Sequence, residues 1–283
     1  MPPSKARKFL KRKAAHELPD AFLEQNIDKL RAFVKAHKDK RPPQTMPAGR
    51  LRVFADCAGM SSETVALRLL GFDASTMEFV GGSEIDPVKR CLMQSVHRTC
   101  NQSKHKEGLE HDIFDRCMSN TPESDLYISG FPCPAYSSCG IKKGAKDGKG
   151  RGLLIFEGLK YITYRKPSLV ILEQVAGFAH KRHTRTHQVM KKCFQALKYK
   201  VYFRKLATQE HGIPQSRTRC FFIAFRKNVS FRFPKALPKP RLKKFLDDTK
   251  GVEKVALSFY EQKYGAGIWK EELRHRLKSR LAI

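Results

Sequence analysis

From residue 51 onward the chain alternates short apolar runs with stretches whose apolar residues recur at helical spacing. Runs at 51–55, 77–82, 126–130, 169–172, 199–206 and 220–225 predict strands, and 63–70, 87–100, 153–165 and 185–197 predict helices between them. That alternation predicts a wound α/β sheet that takes ligands at the carboxyl ends of its strands. No clear helix separates the last two strands, so a local antiparallel pair is expected there. Ahead of this block, 21–37 carries Phe22, Ile27, Leu30 and Phe33, which predicts a short amphipathic helix. The breaker run from Arg41 through Pro42, Pro43 and Pro47 to Gly49 then reads as a linker. After Phe233 the chain is Pro- and Lys-rich through Pro240, followed by helical patterns at 252–264 and 268–281 with too few apolar positions for a core of their own. The reading therefore divides the chain into a basic N-terminal extension and linker (1–50), a central domain (51–233) and a basic helical tail (234–283).

Composition narrows the class. The 283 residues are 41% hydrophobic, enough for a sizeable core. The longest apolar runs fall well short of the roughly 18 residues a spanning helix needs, so no membrane role is expected. Eight cysteines in a long chain without a secretory h-region point to a reducing compartment. Lys and Arg number 56 against 27 Asp and Glu, a formal charge of +29 that calls for a polyanionic partner, nucleic acid first. The cluster Lys5, Arg7, Lys8, Lys11, Arg12 and Lys13 fits a nuclear address, an organellar transit segment, a phosphate-binding arm or a solvated tail.

Candidate chemistry gathers where predicted strands end. The run 126–130 empties into Phe131-Pro132-Cys133-Pro134, presenting a cysteine in a Pro-bracketed loop. Cys133 there is either a nucleophile, given a lowered pKa or a nearby proton acceptor, or a small buried hydrophobe. A second apolar strand ends in Glu173, placed to share a proton with a substrate heteroatom or to cap the following segment. After the first strand, Asp56-Cys57-Ala58-Gly59-Met60-Ser61 forms a small-residue turn opening a helix, and Glu84 closes the second strand where an acid can hold ribose hydroxyls. With Gly59 its one glycine, the turn favours a nucleoside cofactor without pyrophosphate. His180, His183 and His187 share one stretch, but Lys181, Arg182 and Arg185 beside them would repel a cation, so a phosphate-facing segment is the preferred reading.

In order and spacing these residues resemble the cytosine-5 DNA methyltransferase family. The match runs through Ala58-Gly59-Met60-Ser61-Ser62 with Gly71-Phe72, Glu84-Ile85-Asp86, Asp112-Ile113, Gly130-Phe131-Pro132-Cys133, Arg151-Gly152, Glu173-Gln174-Val175 and Gln215-Ser216-Arg217-Thr218-Arg219. Single motifs of this kind are weak, whereas the whole series in order over 51–226 is specific.

The resemblance implies a class I methyltransferase-like, Rossmann-like α/β sheet and an S-adenosylmethionine-dependent DNA (cytosine-5-)-methyltransferase. It implies that Cys133 adds to carbon 6 of a flipped cytosine, that Glu173 binds ring nitrogen 3 and the exocyclic amine, and that Arg219, with Arg217 beside it, holds the base's carbonyl oxygen. For the cofactor it implies Ala58, Gly59 and Met60 at the methionine end, Glu84 on the ribose, Asp112 on the adenine amine, Ile85 and Ile113 against the adenine, and Pro132 alongside. The chain departs from the family at Ser61 and Ser62, where glycines are usual, at Ala55, with the acid one residue later at Asp56, at Pro134 for Gln and at Gln174 for Asn. No Gly-Asn pair of the family's last motif stands between 231 and 283. Target recognition is thus expected to be slight or supplied by a protein partner. DNA is the expected partner; the alternatives are an RNA cytosine-5 methyltransferase and a catalytically weak or inactive nucleic-acid-binding relative that needs a partner.

Overall fold

The computed structural model describes residues 20–40, 49–99, 109–110, 112–132 and 150–245. These divide into two compact units, Met1–Ala207 with Arg217–Ala236, and Thr208–Ser216 with Leu237–Ile283. The readings at Cys133, in the 5–13 cluster, in the 41–48 linker and in the helical tail 252–281 lie outside the described residues.

The first unit holds a seven-stranded sheet of order β3-β2-β1-β4-β5-β7-β6. Strand β1 (Leu51–Asp56) pairs in parallel with β2 (Met77–Ser83) and β4 (Leu126–Ser129); β3 (Leu109–Glu110) adds to β2, and β5 (Leu169–Val175) to β4, also in parallel. The chain then reverses: β7 (Thr218–Phe225) runs antiparallel to both β5 and β6 (Lys200–Ala207). The expected antiparallel pair is therefore present, and β7 uses its second edge on β5. Strand order switches direction between β1 and β4, which places a crevice at their carboxyl ends.

Alternation along the strands sends successive side chains to opposite faces. Phe54, Tyr127, Val170, Leu172 and Phe222 join the larger core, under helices α1 (Asp20–His37), α4 (Leu154–Arg165) and α5 (Thr184–Ala196). Val53, Ala55, Met77, Phe79 and Leu126 face the other way, under α2 (Ser62–Leu69), whose Leu67 joins them. Helix α3 (Pro87–Thr99) lies on that side too, with His97 stacked on Phe79. Helix α4 comes close to the sheet at Gly158, where an added Cβ would sit 2.6 Å from the Tyr127 hydroxyl.

The amphipathic helix at the N-terminal end forms, with Ile27 and Leu30 buried as expected and Leu23 and Val34 buried in place of Phe22 and Phe33. Leu23, Ile27, Leu30 and Val34 are buried, while Phe22 is only partly so. This is the i, i+4, i+7, i+11 row of one helical face. Sequence grouped this helix with an extension ending at 50, but it packs on α4 and α5 as part of the main core. Lys166 fastens its end, donating from Nζ to the carbonyls of His37 (2.9 Å), which also accepts the Lys40 N–H, and of Lys40 (3.0 Å) just beyond the helix.

In the second unit, a 3₁₀ turn at Thr208–His211 is closed by the Ile213 N–H donating to the Thr208 carbonyl at 3.2 Å. The Leu237 N–H donates to the Glu210 carbonyl at 2.7 Å. No described helix is long and apolar enough to cross a membrane.

Candidate active site

Because β1, β2, β4 and β5 are parallel, the residues following them share one rim, and β7, running the other way, starts at that rim. The topology thus gathers Ala58, Gly59 and Met60 after β1, Glu84 and Ile85 after β2, Pro132 after β4, Glu173 in the last turn of β5, and Arg217 and Arg219 at the start of β7.

The turn after β1 is built from left-handed residues, Cys57 (φ 53°), Gly59 (φ 59°) and Ser61 (φ 59°). It closes through the Ser61 N–H donating to the Ala58 carbonyl at 3.0 Å. Glu84, 8% exposed, ties turn to strand: its Oε2 accepts the Gly59 N–H and its Oε1 the Asp86 N–H, both at 2.9 Å. Each carboxylate oxygen retains acceptor capacity for a hydroxyl pair. A Cβ on Gly59 would meet nothing within 4 Å, and Met60 (64%) and Ile85 (62%) stand exposed beside it. Open backbone, a fixed carboxylate and apolar flanks fit a nucleoside-bearing cofactor. Asp112 heads the 3₁₀ turn Ile113–Asp115 and accepts the Phe114 N–H at 3.1 Å, with Ile113 buried below it.

Asp56, one residue before this turn, is a buried hub. It accepts from Ser83 Oγ (2.8 Å), the Tyr127 hydroxyl (2.6 Å) and both terminal nitrogens of Arg116, one of them at 2.9 Å. The side chains of Asp56 and Arg116 have no solvent exposure, and the guanidinium lies over Phe54 and Tyr161 (5.0 and 5.6 Å to the ring centroids). The hub joins the ends of β1 and β2, strand β4 and the loop after Asp112. Burial first, then the charge of Asp56, pushes the Tyr127 phenol well above its ordinary range. Burial likewise raises the Cys57 thiol, followed by the charges of Asp56 and Glu84, so this cysteine is kept protonated. Sequence missed the hub, because Arg116 lies 60 positions from Asp56 with no pattern linking them.

At the other side of the rim the sequence expected β5 to end at Leu172 and Glu173, but it continues through Gln174 to Val175 because β7 pairs it there, Glu173 opposite Phe221 and Val175 opposite Arg219. Glu173 receives Arg219 Nε at 2.9 Å, with Arg217 Nη2 at 3.7 Å. Its Oε2 lies 3.6 Å from where a Cβ on Gly130 would stand, which puts the carboxylate against the backbone leading to Cys133. Gln174, fully buried, holds the same segment: Nε2 donates to the Phe131 carbonyl at 2.9 Å and Oε1 accepts the Val175 N–H at 2.8 Å. The longer amide thus spans the gap between β5 and the loop after β4.

In the histidine stretch, His187 Nε2 is 2.9 Å from the Phe178 carbonyl, and His183 is buried and stacked on Phe178. Burial holds the ionisation of both below the ordinary value, that of His183 at about 4.

Comparison with known proteins places this rim in a family. The model for C-5 cytosine-specific DNA methylases matches residues 54–278. The chain is 35% identical to Type II methyltransferase M.HhaI of Haemophilus parahaemolyticus over 132 residues, covering 46% of this chain and 40% of that protein. It is 34% identical to M.SsoII of Shigella sonnei over 205 residues, covering 70% of this chain and 50% of that protein. The chain thus spans about half the length, or less, of these curated relatives. In fold it is similar to a crystal structure of a DNMT2 variant from Spodoptera frugiperda, with a TM-score of 0.52 at 17% identity, covering 70% of this chain and 60% of that one. The chain belongs to the C-5 cytosine-specific DNA methylase family.

Proposed function

We propose that this chain transfers a methyl group from S-adenosylmethionine to carbon 5 of a cytosine in DNA. The observation that carries the reading is the pairing of Glu173 with Arg219 against the Gly130 backbone that leads into Cys133, on the same rim as the Glu84–Gly59 link. That arrangement sets an acid and a cation beside the Gly130 backbone at one switch point, and the sequence runs on from there into Cys133.

In this mechanism the Cys133 thiolate adds to carbon 6 of the ring, and the displaced electron pair makes carbon 5 nucleophilic. Glu173 binds ring nitrogen 3 and the exocyclic amine, supporting that shift with a proton. Arg219 balances charge developing on the carbonyl oxygen, and Arg217 adds positive potential nearby. S-adenosylmethionine, when bound, supplies an electrophilic methyl group. Once carbon 5 holds the methyl, with S-adenosylhomocysteine as the leaving group, its proton passes to water, Cys133 departs as thiolate, and Glu173 takes back the proton it lent, which restores the ring. Glu84 and the Gly59 turn hold the cofactor, with Asp112 at the adenine amine. Since carbon 6 is closed off in a stacked duplex, the cytosine must leave the helix, and the cationic surface holds the flanking phosphates.

The test is transfer of labelled methyl to unmethylated duplex DNA and, in parallel, to transfer RNA, with Cys133→Ala as control. Label in DNA that vanishes in the variant, and a covalent adduct with 5-fluorocytosine DNA, is the expected result. Label in RNA alone moves the substrate, and label in neither overturns the reading.

A further inference from the structure

The turn that opens α2 places Ser61 in a conformation that ordinarily calls for glycine, φ 59° and ψ 44°. In that region a Cβ crowds the following carbonyl oxygen, so a serine stays there only when something outside the turn holds it. Ser61 is fully buried, and its Oγ lies 2.9 Å from Nε2 of His97. His97 comes from α3, is 1% exposed, and is stacked on Phe79 of β2 with 3.7 Å between ring centroids. The ring is thus fixed by the sheet and in turn fixes the hydroxyl. Rotating Ser61 to a negative φ would swing Oγ away from the imidazole and release the N–H that closes the turn on Ala58. Gly59, between the two, donates to Glu84 and would move with them.

We propose that His97 is a positioning residue for the cofactor turn, holding Ser61 in its left-handed conformation so that the backbone from Ala58 to Ser61 keeps the shape that receives S-adenosylmethionine. This rests on the reading of the rim as a cofactor pocket and deepens it: the turn uses a serine and histidine pair where glycine would need no support. Burial keeps the imidazole uncharged down to about pH 4, which suits a neutral hydrogen bond to a hydroxyl.

A double-substitution cycle on the full chain tests this, with S-adenosylmethionine dissociation constants measured by calorimetry and unfolding midpoints measured alongside. His97→Phe preserves the stacking partner and removes the hydrogen bond. In the Ser61 background it should weaken binding about tenfold, a coupling typical of residues in direct contact. In the Ser61→Gly background the same change should lose most of that effect, because glycine needs no hold. His97→Gln, which keeps a nitrogen to offer, should recover part of the affinity. Ser61→Ala, with His97 intact, should weaken binding as His97→Phe does. Equal losses in both backgrounds, or none in either, would overturn the proposal while wild-type binding leaves the cofactor pocket standing. Failure of the wild type to bind S-adenosylmethionine would sink both.

Discussion

The carboxylate of Asp56 takes hydrogen bonds from Ser83, Arg116 and Tyr127, three residues on separate segments, at a point with no solvent exposure. Removing one partner of such a buried pair leaves a charge that nothing neutralises, which costs roughly 3–5 kcal/mol. Arg116→Met is therefore expected to lower the urea unfolding free energy by about that much, and Asp56→Asn combined with Arg116→Met to cost clearly less than Arg116→Met. Unfolding curves that show the double variant no more stable than Arg116→Met would count against a charge-based role. Glu63 makes a second prediction at the same turn. Burial raises its carboxyl from the ordinary 4.5 to about 7, with the Ser61 hydroxyl offsetting part of the rise. A raised folded pKa means the protonated form is favoured in the fold, so its contribution is full below pH 4.5 and is lost as pH rises through about 7. A tenfold difference in proton affinity between folded and unfolded chain corresponds to about 1.4 kcal/mol, so about 3 kcal/mol is lost between roughly pH 5 and 8. Glu63→Gln should remove that part of the slope, and identical pH profiles for the two proteins would contradict it.

The elements repeat the lesson of the residues, since what sequence pattern reaches and what it misses follow from how local the cause is. The strands around β1, β2 and β4 announce themselves as apolar runs bounded by turns, and the proposal that Gly59, Glu84 and Asp112 face a cofactor starts from motif spacing. Strand β3 is two residues long, too short for any period to register. The extension of β5 past Glu173 to Val175 depends on β7 pairing with it across more than 40 residues, which no local pattern carries. For α1 the spacing picked out Ile27 and Leu30 correctly, and packing on α4 and α5 chose Leu23 and Val34 over Phe22 and Phe33 at the stripe's ends. That choice is testable: Leu23→Ala opens a cavity in the main core and should cost roughly 2–5 kcal/mol, whereas a change at half-buried Phe33 should cost less. Equal costs would mean that the helix lies on its other face. At the far edge β6 pairs with β7 alone among the described strands, and its exposed Lys200, Arg204 and Lys205 make the outer edge a poor template for another chain.

Charge belongs to the molecule rather than to any one element. A formal +29 over 283 residues, with exposed cations on α5 (Lys191, Lys192) as well as on β6, leaves phosphate contacts available well beyond the rim. Each phosphate neutralised releases condensed counterions, so a surface making six to ten such contacts loses roughly 10³–10⁵-fold in affinity between 50 and 200 mM salt. Base-edge readout, by contrast, needs side chains placed in a groove, and phosphate contacts carry no sequence information. Under the proposed reaction a charge spread over α5 and β6 predicts binding that is strong at low salt, steeply salt-dependent and nearly indifferent to sequence. Fluorescence anisotropy on short duplexes of differing sequence, titrated from about 50 to 200 mM salt, measures both quantities at once. A steep common slope, with dissociation constants that agree within a few fold across sequences, is the expected outcome. A duplex preferred by about a thousandfold or more, the range of specific recognition, would instead mean that this chain reads bases itself.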